Sequence, residues 1–149
     1  MVDLRRAGAA DAARLSYVAE LAYSPYLPRM GGLRPGPMDT DYAAAVADTE
    51  AWVASVDGEV VGFLVLVLEG DVMLLENVAV LPSHHGSGIG RALLALAEEL
   101  SVAAGCTRIR LYTHETMVEN QRLYERLGYV ETHRASEHGF TRVFYEKRL

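Results

Sequence analysis

The run VMLLENVAVLPSHHGSGIGRALLALAEEL, from Val72 to Leu100, constrains the fold more than any other part of this chain. Val72 to Leu81 is too continuously apolar for a solvated strand and reads as a buried one, ended by Pro82. Residues 83–90 form a glycine-rich turn. A helix then follows, with Ile89, Leu93, Leu96 and Leu100 on one face and Gly105 placed as its C′ residue. A strand, a glycine turn and a helix start together make an anion site. The first N–H groups of the helix point outward, the helix dipole favours negative charge, and glycines let the backbone approach phosphate oxygens. Taken alone, the run fits a phosphate or pyrophosphate site, or a plain turn into a helix that uses glycine for its geometry. Two nucleotide patterns fail on spacing. A dinucleotide fingerprint needs glycine three residues after its second, where Arg91 stands, and a phosphate-loop ATPase needs Gly-Lys-Ser/Thr.

The rest of the chain reads as further strands and helices. Val2 to Arg6 is a short strand, and Asp11 is an expected N-cap for a helix with Ala12, Leu15, Val18, Ala19 and Ala22 at helical spacing. Tyr23 to Pro37, rich in Pro, Gly and Tyr, reads as an irregular loop, and long loops in compact domains are often functional. A short helix covers Tyr42 to Ala47. Ala51 to Val56 and Glu59 to Leu68 flank the two-residue hairpin turn Asp57-Gly58, and Glu69-Gly70-Asp71 makes a second tight connection. Thr107 to Thr113 alternates as a strand. Thr116 and Glu119 have capping-box spacing for a last helix that runs to Leu127 and stops at Gly128. Tyr129 to Arg134 and Arg142 to Lys147 close the sheet as a hairpin. The order β-α-α-β-β-β-α-β-α-β-β predicts one three-layer α/β/α domain over residues 1–149, around a mixed, mostly antiparallel sheet.

Of the 149 residues, 50% are hydrophobic and 23% charged, which suits a single globular domain and argues against disorder. The net charge of −6 argues against a general nucleic-acid or anionic-membrane binder. It suits a cationic substrate slightly better, but acidic balance is also common in soluble proteins. A single cysteine, Cys106, excludes an intramolecular disulfide framework, and its place before a strand reads as small packing. His84, His114, His133 and His138 have no ligand spacing, so no metal is expected. Trp52 reads as core, and Arg108 and Arg110 as an exposed sheet face. No apolar signal core opens the chain, and the longest apolar run, Val60 to Leu68, is too short to span a bilayer, so a cytoplasmic protein is expected.

Two stretches carry a family resemblance. ENVAVLPSHHGSGIGRALL closely resembles the cofactor-binding motif of the Gcn5-related N-acetyltransferase (GNAT) superfamily: a strand ending Val-x-Pro, then Arg or Gln, two residues, Gly, one residue, and Gly or Ala. Val80-Leu81-Pro82 supplies the first part, and His85, Gly88 and Gly90 fall at the last three positions. His85 departs from the usual Arg or Gln. ENQRLYERLGYVET resembles the last-helix motif of the same superfamily, with Leu123, Tyr124, Glu125, Gly128 and Tyr129 matching as they stand. The motif asparagine commonly lies seven residues before the tyrosine, at Met117 here, whereas Asn120 lies four before it on the same helix face.

The resemblance implies an acetyl-CoA-dependent N-acetyltransferase in which a primary amine of a small molecule or peptide attacks the thioester directly in a ternary complex. Its cofactor would lie against Val78, Ala79, Val80, His85, Gly86, Ser87, Gly88, Ile89, Gly90, Arg91, Asn120 and Tyr124. The pantetheine arm would occupy a wedge between two strands, and the Val78 N–H would polarise the thioester carbonyl. An alkyl amine with a pKa near ~10 needs a base, for which Glu76 is the candidate; its other reading is a solvated strand residue. Tyr124 is the candidate acid for the leaving thiolate, its other reading being core packing. In this superfamily the acceptor is set mainly by the first helices and their loop. There Tyr26, Arg29 and Met30, with Tyr112 from its strand end, are the candidate substrate contacts. A homodimer is a further expectation. The competing reading is a non-catalytic acyl-CoA-binding or regulatory module of the same fold.

Overall fold

The computed structural model describes residues 2–137 and 139–149, so His138 lies outside the described residues. Seven strands form one sheet: β1 (Val2–Arg6), β2 (Glu50–Val56), β3 (Glu59–Glu69), β4 (Val72–Val80), β5 (Arg108–His114), β6 (Val130–Glu137) and β7 (Phe140–Arg148). Their spatial order is β1-β2-β3-β4-β5-β7-β6. All neighbours are antiparallel except β4 and β5, which run parallel. Four helices complete the domain: α1 (Ala12–Tyr23), α2 (Tyr42–Asp48), α3 (Ile89–Ala103) and α4 (Val118–Arg126). No helix among the described residues is long and apolar enough to cross a membrane.

Two adjacent residues of β3 show how the layers stack, because successive side chains of a strand face opposite ways. Phe63 meets the Tyr42 ring of α2 edge-on at 5.3 Å between centroids. Gly62 faces α3, and a Cβ there would stand 3.0 Å from the Ala79 carbonyl and 3.3 Å from a Leu93 methyl. Glycine at this position lets α3 lie close on the sheet. Leu93, Leu94 and Ala97 of that helix are fully buried, as are Phe63, Leu64, Ile109 and Leu111 beneath the layers.

Turn chemistry sets the connections. Asp57 (φ 52°) and Gly58 (φ 80°) both adopt left-handed backbone, the requirement of a tight two-residue hairpin. At the end of α3 the Cys106 N–H donates to Ser101 C=O and the Gly105 N–H to Val102 C=O, a Schellman stop with Gly105 at φ 81°.

Three local expectations are corrected. Asp11 does not cap α1 with its side chain; its carboxylate instead accepts the Gly8 N–H (2.7 Å) and a two-pronged contact from Arg5 (2.8 and 2.9 Å). Thr116 and Glu119 form no capping box. Helix α4 starts one residue later than that spacing requires, with Met117 at the N-cap and no side-chain cap, because Thr116 Oγ1 is bonded to His114 Nδ1 and Glu119 is paired with Arg29. Trp52 is only half-buried, packed against the core with its indole N–H directed to Glu50 at 3.3 Å. Arg108 and Arg110 are half-exposed and paired with Glu146 and Glu69.

Candidate active site

The glycine turn presents a set of unused donors. Gly86 (φ 78°) and Gly88 (φ 86°) hold left-handed backbone, and a Cβ at either would meet nothing within 4 Å. Glycine is therefore required by conformation, and the space outside the turn stays open. Ala92 is the first residue to donate into α3, to Gly88 C=O at 3.0 Å. Among the described residues the N–H groups of Gly86, Gly88, Ile89, Gly90 and Arg91 have no acceptor, and they cluster at the positive end of a 15-residue helix. A pyrophosphate fits this donor set.

Strands β4 and β5 pair only at Val72–Arg108, Met73–Ile109 and Leu74–Arg110, and beyond that they diverge. The wedge between Leu75–Val80 and Leu111–His114 leaves one side of β4 unpaired. On the other side, Leu81 N–H donates to Val61 C=O (2.8 Å), so by alternation Val78 and Val80 direct their backbone groups into the wedge. Two observations agree with that direction: the Tyr23 hydroxyl reaches Val78 C=O at 3.3 Å, and His85 Nε2 reaches Val80 C=O at 3.0 Å. His85 thus folds back on the strand end rather than toward the helix start.

A β-bulge shapes the mouth of the wedge. Leu66 pairs with Leu75 and Val65 with Asn77, so Glu76 is the extra residue of β4. Leu75 and Asn77 stay buried while Glu76 is exposed. Beside it, Asn77 is held from two helices: its Oδ1 accepts from the Tyr23 hydroxyl (2.7 Å) and its Nδ2 donates to the Tyr42 oxygen (2.8 Å). Tyr42 in turn donates to Pro37 C=O at 2.6 Å.

Two cavities meet at this point. One, of about 500 Å³, contains the glycine turn and the wedge, with Val78, Ala79, Val80, His85, Gly86 and Gly90 in its wall. The other, of about 260 Å³, is lined by Glu76, Asn77, Tyr23, Tyr42, Tyr112, His114 and Arg142 among others. Val78, Asn120 and Tyr124 line both. Tyr124 is 6% exposed and packs between the rings of Tyr129 and Tyr145. The Tyr145 hydroxyl donates to Glu125 (3.0 Å) and anchors α4 on the sheet. Burial, and then the neighbouring Tyr26 hydroxyl, push the Tyr124 phenol well above its ordinary range, so it stays protonated. Burial does the same for Tyr23 and Tyr42.

The other candidate residues divide between the two cavities. Met30 and Tyr112 line the smaller one. Tyr26 and Arg29 lie in the larger one, where Arg29 pairs with Glu119 at 2.9 Å and stands over the Tyr26 ring at 5.2 Å. Ser87 turns its hydroxyl back to His84 C=O, and Arg91 is exposed on the first turn of α3. Asn77, Tyr42 and Arg142 were not among the site residues expected from the sequence. Asn77 had a signal, being an amide inside an otherwise apolar strand. Arg142 and His114 had none, since only the β5–β7 register makes them partners. Among the described residues no three His, Cys, Asp or Glu side chains gather as a metal site.

Comparison with known proteins identifies the family and the fold. Residues 17–129 match the family model described as "Acetyltransferase (GNAT) family". Over 107 residues the chain is 27% identical to the aminoglycoside N(6′)-acetyltransferase type 1 of Salmonella typhimurium, covering 66% of this chain and 69% of that protein. Two solved structures share the fold. A GNAT-family acetyltransferase structure from Desulfovibrio desulfuricans superposes with a TM-score of 0.82 at 21% identity over 99% of each chain. The PaiA N-acetyltransferase of Thermoplasma acidophilum, solved with coenzyme A, gives 0.81 at 18% identity, over 100% of this chain and 99% of that one. The chain belongs to the GNAT family of acetyltransferases and is an acyltransferase enzyme.

Proposed function

We propose that this protein transfers the acetyl group of acetyl-CoA to a primary amine by direct attack in a ternary complex. The observation that carries the proposal is the meeting of the two cavities at Val78, Asn120 and Tyr124. Cosubstrate on the glycine-turn side and amine on the Glu76 side would touch there and nowhere else.

Bound acetyl-CoA would supply an activated thioester. The N–H groups of residues 86 and 88–91 would hold its pyrophosphate, and Val78 and Val80 would pair with the pantetheine arm as an added strand. His85 must leave Val80 C=O for that pairing to form. The Val78 N–H would face the thioester oxygen and oppose its developing charge, a contribution of about 3 kcal/mol for one well-aimed donor.

Glu76 faces the amine side and would accept the proton that an ammonium must lose before it attacks. As the nitrogen–carbon bond forms and the carbon–sulfur bond breaks, Tyr124 would give its proton to the sulfur, and the second proton that the nitrogen must lose would restore the phenol. Burial keeps the phenol protonated in the resting site, so its O–H is available to the sulfur as negative charge develops there. The test is release of free thiol from acetyl-CoA by the purified protein across a panel of primary amines. Amine-dependent release is expected. Tight CoA binding with no release for any amine would favour a non-catalytic acyl-CoA-binding module instead.

A further inference from the structure

The smaller cavity has chemistry of its own. Glu76 is the only carboxylate among the described residues that line it. Across the fork, on the far side of β5, His114 and Arg142 are direct cross-strand partners, so both side chains project from one face of the β5–β7 ladder. Arg142 lies over the Tyr112 ring at 4.9 Å and near the Phe140 ring at 5.7 Å, and its ion pair with Glu137 is long at 3.8 Å. The His114 ring packs edge-on against Phe140, and its Nδ1 accepts the Thr116 N–H at 3.2 Å, so in the neutral ring the proton sits on Nε2. The cavity wall therefore offers a carboxylate from β4, and a guanidinium and an imidazole N–H from the β5–β7 ladder.

We infer that the acceptor is a small amine that also carries a carboxylate, with its ammonium toward Glu76 and its carboxylate received by Arg142 and His114. The inference rests on the acetyl-transfer reading and narrows its acceptor. Cavity size points the same way, since about 260 Å³ lies below the ~300–1,000 Å³ of pockets for drug-sized ligands. A polycationic aminoglycoside would need several carboxylates around it, and this wall supplies one carboxylate and two groups that repel or compete with ammonium. A planar guanidinium suits a carboxylate, which it meets through two parallel N–H donors.

The experiment measures kcat/KM for thiol release with each common amino acid, with the decarboxylated counterpart of each, and with kanamycin. For the best pair, the carboxylated amine is expected to exceed its counterpart by about tenfold or more, the worth of one charge-assisted contact. Arg142→Gln should collapse that ratio toward one, chiefly through KM, and Arg142→Lys should restore part of it. Preference for the decarboxylated amines or for kanamycin, no turnover of any carboxylated amine, or an unchanged ratio in Arg142→Gln would each overturn the inference. Calorimetric CoA titration of the same samples separates the two claims. A folded protein that binds CoA but shows no carboxylate preference loses only this inference, whereas one that binds no CoA loses the acetyl-transfer reading and this inference with it.

Discussion

The Tyr23 hydroxyl, at the last residue of α1, donates to the Asn77 side chain on β4 at 2.7 Å, and so ties the first helix to the strand that forms the wedge. Asn77 passes the connection to Tyr42 at the start of α2. Replacing Asn77 with Leu would keep its bulk and remove both side-chain bonds, leaving Tyr42 its bond to Pro37 C=O and Tyr23 the longer contact to Val78 C=O. Unfolding in urea should show a loss of about 1–2 kcal/mol for the two buried hydrogen bonds removed. Because α1 and the 24–41 loop wall the smaller cavity, KM for the amine should rise more than KM for acetyl-CoA. Wild-type stability with unchanged amine KM would show that this connection holds neither the fold nor the site.

Tyr124→Phe removes one oxygen at the junction of the cavities and leaves the ring packing against Tyr129 and Tyr145. Turnover should fall about 10²-fold or more, the ordinary worth of a positioned proton donor, with CoA affinity and melting temperature little changed. An unchanged kcat would remove Tyr124 from the chemistry and leave it as packing.

Glu76→Gln keeps the shape of the bulge and removes the proton acceptor. The kcat should drop by about 10²-fold at neutral pH and recover partly as pH rises and more of the amine is already neutral. A uniform loss at every pH would assign Glu76 to binding the ammonium rather than to taking its proton.

What the sequence disclosed and what it hid follow from the range of the forces involved. The Asp57-Gly58 turn, the Gly105 stop and the strand-turn-helix at residues 72–100 are set within a few residues, so composition and spacing reveal them. A mixed, mostly antiparallel sheet was expected, but which pair runs parallel and the spatial order of the strands emerge only from the fold. Other features depend on partners far apart in the chain. Arg29 meets Glu119, which draws that carboxylate away from the helix cap its spacing suggested. Arg142 meets His114 only through the β5–β7 register. The bulge at Glu76 leaves no mark in an apolar run, because a strand with one extra residue has the same composition as one without it.

His114 adds a pH dependence whose sign follows from its surroundings. Burial first, and the Arg142 charge after it, hold its pKa below the ordinary 6.5, with Glu115 opposing them. The unfolded chain then binds the proton more readily, so stability falls as pH drops through 6.5 toward the lower folded value. Wild type should lose more stability than His114→Gln between pH 7.5 and 5 in parallel urea titrations. Equal losses would show that His114 titrates no differently in the folded protein.

The central claim is that the glycine turn holds the pyrophosphate of acetyl-CoA, and calorimetric titration with acetyl-CoA and with CoA tests it most directly. Gly88→Asn and Gly88→Asp should be measured beside wild type, since Asn tolerates the left-handed backbone and Asp adds a negative charge in the same shape. The account predicts micromolar binding to wild type, weaker binding to Gly88→Asn and none detectable to Gly88→Asp in folded samples. Absence of binding to folded wild type, or equal binding to all three, would contradict it.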